Sequence, residues 1–146
     1  MERSQATKLI KEAKLSKHLS WEEIATHVGG HPVWVTSALL GQNSMTAEQA
    51  AKAVEILGLP AEVAEVLQEC PMKGTDTIVP TDPLIYRFYE IMQVYCGTIK
   101  EVIHEKFGDG IMSAIDFTMD IQKEENPHGD RVVVTLNGKF LPYKKW

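Results

Sequence analysis

The feature that most constrains this chain is a change of hydrophobic period late in the sequence. As far as Phe107 the apolar residues recur at helical spacing, and after Gly108-Asp109-Gly110 they alternate. Ile115, Phe117, Met119 and Ile121 are interleaved with Asp116, Thr118, Asp120 and Gln122, the period of a strand with one wet face. Val132, Val134 and Leu136 repeat the alternation, and Asn137-Gly138 predicts a tight hairpin turn before Phe140 and Leu141. Two or three strands make a sheet too small to bury its own apolar face. The expected fold is therefore mainly α with a small C-terminal β element (α+β), in a chain that must pair with other copies of itself.

The first half reads as a bundle of short helices. Leu9, Ile10 and Ala13 stripe the first. Ser20 with Glu23 forms a capping box at the start of the second, in which each side chain satisfies a free backbone N–H. Trp21, Ile24, Ala25 and Val28 follow at helical spacing, and Gly29-Gly30 ends the run. Pro32 suits a first helical position and opens a third helix through Val35, Leu39 and Leu40 to Gly41. Thr46 with Gln49 is a second capping box, before Ala50, Ala53, Val54 and Leu57, and Pro60 opens a fifth helix with Val63, Val66 and Leu67. Cys70 to Asp82, with Pro71, Gly74 and Pro80, reads as a linker. The expected domains are 1–75, helical, and 76–146, oligomerising.

The second and third helices, joined across Gly29-Gly30, have the shape of a helix-turn-helix of lambda-repressor type. A DNA-binding protein with an oligomerisation domain is thus the alternative function. Base edges are read by Arg, Lys, Asn and Gln, whereas this third helix opens His31-Pro32-Val33-Trp34-Val35-Thr36. The net charge of −5 also opposes a phosphate backbone. Lys8, Lys11, Lys14 and Lys17 on the first helix read as a solvated face. A packing module is the favoured interpretation, and nucleic acid is disfavoured as a partner.

No stretch approaches the roughly 18 apolar residues of a membrane span, and the charged N-terminus lacks the apolar core of a secretory leader. Two cysteines, Cys70 and Cys96, cannot frame a disulfide scaffold. The expected location is cytoplasmic. His27 and His31 are four apart, but Gly29-Gly30 and Pro32 break the helix that would align them on a metal. His104-Glu105 lacks the second histidine of the zinc-protease pattern. Cys96, expected near a helix C-terminus, is a poor nucleophile there. No metal and no cofactor are expected.

Asp82-Pro83 is a strong helix start, with Asp as N-cap and Pro in the first turn. The helix from Leu84 to Tyr95 is apolar on nearly every side, and a further helix is predicted over Thr98 to Phe107. Arg87 and Glu90 share a face three residues apart. By themselves they are an ordinary helix pair, and Ser113 is an ordinary hydroxyl between loop and strand.

The strings Tyr86-Arg87-Phe88-Tyr89-Glu90, Gln93-Val94-Tyr95, His104 through Asp116-Phe117, and Asn137-Gly138-Lys139-Phe140-Leu141-Pro142 closely resemble the cyanases. The likeness runs almost unbroken through the C-terminal half and more loosely through the helical half. It departs at Cys96-Gly97, where bacterial members carry a small residue followed by Thr. The resemblance implies a lyase, cyanate hydratase, that decomposes cyanate with bicarbonate as co-substrate to carbamate and carbon dioxide, the carbamate giving ammonia and more carbon dioxide. It implies Arg87, Glu90 and Ser113 as the catalytic residues. It also implies an intertwined C-terminal dimerisation domain, interlocked dimers gathered into a decamer, and active sites at subunit interfaces. The chemistry suits these residues. Two anions held together need a fixed positive charge, which the guanidinium fork of Arg87 supplies. The chain has only three arginines, Arg3, Arg87 and Arg131, so copies of Arg87 meeting at an interface would concentrate charge.

Overall fold

The structure, a computed structural model, describes every residue except 75–77, and the predicted boundary at 75/76 lies outside the described residues. The chain divides into two compact units, Met1–Gly74 and Thr75–Trp146. The described residues are mainly helical, with one two-stranded antiparallel sheet among them.

The first unit holds α1 (Arg3–Ser16), α2 (Trp21–Val28), α3 (Pro32–Leu39), α4 (Ala47–Leu57) and α5 (Ala61–Gln68). Local chemistry sets their ends. The Glu23 N–H donates to Ser20 Oγ at 3.1 Å while Glu23 Oε2 accepts from the Ser20 N–H at 2.7 Å. Gln49 and Thr46 repeat this reciprocal pairing at α4. Gly29 closes α2 in the left-handed region (φ 85°), where a side chain would be strained. The apolar stripes then meet in one core, with Ile10, Ile24, Val35, Leu39, Leu57, Val63 and Leu67 closed to solvent.

The second unit is α6 (Pro83–Phe107), β1 (Gly110–Glu124) and β2 (Arg131–Pro142). Asp82 caps α6 as expected, its Oδ1 accepting from the N–H groups of Leu84 and Ile85, both at 3.0 Å. The two helices expected from Leu84 and from Thr98 are one continuous helix of 25 residues. Gly97 weakens a helix by about 1 kcal/mol relative to Ala, but it ends one only by turning left-handed, which it does not do here. Cys96 accordingly lies in the helix interior, not near its C-terminus.

β1 and β2 pair antiparallel from Gly110↔Pro142 to Glu124↔Arg131. The hairpin turn expected at Asn137-Gly138 is instead at residues 125–130. There the Gly129 N–H donates to the Asn126 carbonyl at 3.0 Å and the His128 N–H to Asn126 Oδ1 at 2.9 Å. Gly129 supplies the positive φ (119°). Asn137 and Gly138 are ladder residues, opposite Thr118 and Phe117. The register slips between Met112 and Phe117, so that residues 113–116 face only Lys139: a β-bulge. Ile115, predicted to begin the alternation, falls in this bulge and is 97% exposed, while Phe117 and Met119 keep the half-buried face.

Among the described residues of this unit only Gly110 and Ser113 are buried. Leu84, Ile85, Phe88, Val94 and Tyr95 all lie open on α6.

Candidate active site

Arg87 and Glu90 stand on the second turn of α6, which the Asp82 cap starts. Three residues along a helix brings their side chains onto one face, and Arg87 Nη1 donates to Glu90 Oε2 at 2.6 Å. The Glu90 carboxylate, first by this hydrogen bond and then by its charge, raises the guanidinium pKa further above its ordinary value. Arg87 also lies over the Tyr86 ring, 5.7 Å from its centroid, and Tyr86 in turn neighbours Tyr89 at 6.2 Å. The arrangement is a permanently charged fork, steadied from one side by a carboxylate. One N–H is committed to Glu90, and the guanidinium has others to offer.

Ser113 is held quite differently. It lies at the start of the bulge and is 8% exposed. Its Oγ accepts from the N–H groups of Ile115, at 3.1 Å, and Asp116, at 3.0 Å. A hydroxyl has two acceptor positions and one proton. With both acceptor positions filled by backbone, the O–H is left free to donate.

The structure joins Arg87 to Glu90 but not to Ser113. Among the described residues no hydrogen bond or ion pair links Ser113 to either of them. α6 is tied to the hairpin at its last turns. His104 Nε2 lies 3.1 Å from the Gly110 carbonyl oxygen, and the rings of Phe107 and Phe140 stack 5.1 Å apart. At about 1.5 Å rise per residue, Arg87 is about 25 Å up the helix from His104.

Comparison with known proteins bears on both halves of the chain. A family model described as the cyanate lyase C-terminal domain matches residues 77–145, and one described as the N-terminal region of cyanate hydratase matches residues 3–71. The cyanate hydratase of a Marinomonas species is 60% identical over 146 residues, covering all of both chains, and that of Teredinibacter turnerae is 59% identical over the same span. This chain belongs to the cyanate hydratase family. The crystal structure of cyanase from T. urticae has a TM-score of 0.84 to it at 42% identity, covering 94% of this chain and 96% of that one.

In this member of the cyanate hydratase family, His104, which the sequence offers as a member of the family-like string and as a poor metal-ligand candidate, ties α6 to the hairpin. Its ring reaches across the Gly108 turn to the first residue of β1, and its Nδ1 is 3.9 Å from Asp109. A histidine just ahead of a Gly-Asp-Gly turn was the available signal. Among the described residues no group of His, Cys, Asp and Glu is disposed to hold a metal ion, and no helix is long and apolar enough to cross a membrane. A recess of about 700 Å³ lies in the first unit, lined by Arg3, Thr7, Gly41, Glu69 and Cys70 among others; it includes none of Arg87, Glu90 and Ser113.

Proposed function

We propose that this chain, a lyase of the cyanate hydratase family, decomposes cyanate in a bicarbonate-dependent reaction at a site built from Arg87, Glu90 and Ser113 of more than one subunit. The observation that carries the proposal is likeness over the whole chain to cyanate hydratases, at 60% identity for the Marinomonas protein. The disposition of the three residues supplies the chemistry. A bicarbonate oxygen attacks the cyanate carbon, and the adduct, taking up one proton, releases carbon dioxide and leaves carbamate. Carbamate takes up a second proton and falls to ammonia and carbon dioxide. Both reactants are anions, so bringing them together is the difficult part, and a guanidinium fork opposes their repulsion. Ser113, its acceptor positions filled, donates its O–H toward charge developing on the adduct. Glu90 orients Arg87 or passes the proton. As an attacking group beside two anions it would repel them.

The same geometry supports an assembly. Arg87 and Ser113 are not joined within one chain, and the second unit leaves most of α6's apolar surface open. Both requirements are met by a homo-oligomer whose second units intertwine, with interlocked dimers forming a decamer. The helix-turn-helix-like pair α2 and α3 serves packing in this proposal. Of the third helix, Pro32 to Leu39, no residue is Arg, Lys, Asn or Gln. The chain is placed in the cytoplasm, works without metal or cofactor, and takes bicarbonate as co-substrate.

The test is ammonia release by the purified protein from cyanate, with bicarbonate present and then rigorously removed. Turnover that needs bicarbonate is expected. A correctly assembled oligomer that releases no ammonia would refute the proposal.

A further inference from the structure

We infer that Gly138 is a positioning residue for Ser113, held to glycine by the closeness of the backbone opposite. This rests on Ser113 belonging to the active site. Gly138 does not have the left-handed backbone that favours glycine, and it is not in a turn. It faces Phe117 at the point where the bulge rejoins the ladder. A Cβ on it would lie 2.5 Å from the carbonyl oxygen of Ser113 and 2.6 Å from Met112 Cγ. The methionine side chain can swing away. The carbonyl oxygen is backbone, and it moves only if Ser113 moves.

The consequence runs through the hydroxyl. Residues 113–116 leave the ladder together, and the N–H groups of Ile115 and Asp116 turn inward onto Ser113 Oγ. The β2 backbone, with no side chain at 138, closes against the base of this loop, and Lys139, alone opposite it, lies 3.9 Å from Asp116. A methyl group at 138 pushes the Ser113 carbonyl outward and shifts the Oγ with it. The charge on Arg87 and its pairing with Glu90 are untouched, since both are on α6. Gly138 therefore acts on the aim of one hydroxyl.

The experiment compares Ser113→Ala, Gly138→Ala, Met112→Ala/Gly138→Ala and Ser113→Ala/Gly138→Ala in the full-length protein, measuring oligomer mass, kcat and KM for cyanate. Removing a well-aimed donor lowers kcat by roughly a hundredfold or more, which is the expectation for Ser113→Ala. Gly138→Ala should assemble and lose at least about tenfold in kcat with KM little changed, because the donor is misaimed rather than absent. In the Ser113→Ala background it should cost nothing further, since non-additivity marks residues that act as a unit. Met112→Ala/Gly138→Ala removes the side-chain clash and leaves the carbonyl clash, so its kcat should stay low. Wild-type turnover in that variant, or losses in Ser113→Ala/Gly138→Ala that multiply, would overturn the inference. So would failure of all three variants carrying Gly138→Ala to assemble, which would make the glycine a requirement of the fold. Wild-type turnover in Ser113→Ala alone refutes the site assignment on which the inference stands.

Discussion

Replacing Asp82 by Ala tests whether the start of α6 governs the residues one turn above it. Asp82 Oδ1 accepts from the N–H groups of Leu84 and Ile85. Pro83 has no N–H to satisfy, and the Tyr86 N–H already reaches the Asp82 carbonyl at 2.8 Å. The substitution thus strips the cap from two donors. An N-cap lost in this way costs about 0.5–2 kcal/mol, typically near 1. A change of about 1 kcal/mol is about fivefold in the balance between a formed and a frayed first turn. Urea denaturation at fixed subunit concentration should show a loss of about 1 kcal/mol per subunit. Amide exchange at Leu84 and Ile85 should accelerate, and kcat/KM for cyanate should fall as Arg87 loses its footing. Asp82→Ser restores an acceptor of comparable capping strength and should recover most of all three. The reasoning is refuted if Asp82→Ser behaves like Asp82→Ala, or if Asp82→Ala is indistinguishable from the unaltered protein.

Three further outcomes are expected. Arg87→Lys keeps the charge but not the fork, so it should assemble normally and lose roughly a hundredfold or more in kcat, by steady-state ammonia release. Val94→Glu puts a carboxylate on the open apolar surface of α6 and should shift the protein to smaller species in sedimentation or light scattering. Glu23 has its pKa lowered, first by the hydrogen bond from the Ser20 backbone and then by the Ser20 side chain. Its contribution to folding is therefore present above the ordinary carboxylate pKa and is lost as pH falls through the lowered value. The difference in thermal midpoint between the unaltered protein and Glu23→Gln should accordingly shrink in acid; a gap that stays constant below the ordinary carboxylate range would count against that linkage.

What could be read in the sequence was what a few neighbouring residues decide among themselves. Ser20 with Glu23, Thr46 with Gln49, and Asp82 with Pro83 each mark a helix start, because donor and acceptor are within three positions of one another. The pairing of Arg87 with Glu90 was legible for the same reason. What depends on a distant strand was not. Asn137-Gly138 has the composition of a turn, yet it is spent on a close approach to Met112 and Ser113. Ile115 fits the alternation perfectly in sequence and leaves it in space, since four residues of β1 are set against one of β2. The helices expected over Leu84–Tyr95 and Thr98–Phe107 are one, because composition does not reveal whether a glycine such as Gly97 turns left-handed. The distance between Ser113 and Arg87 is a property of the folded chain, and no local pattern encodes it.

The contrast between the two units also bears on how the protein comes into being. Met1–Gly74 closes a core of its own from five short helices, so it can fold unimolecularly as the chain emerges. The second unit follows the first with α6 bare, and in the proposed oligomer its burial waits for collision with another subunit. Maturation should then be second order in chain concentration. A slow, dilution-sensitive phase should report α6, and during it the newly made chain is most exposed to aggregation and to chaperones.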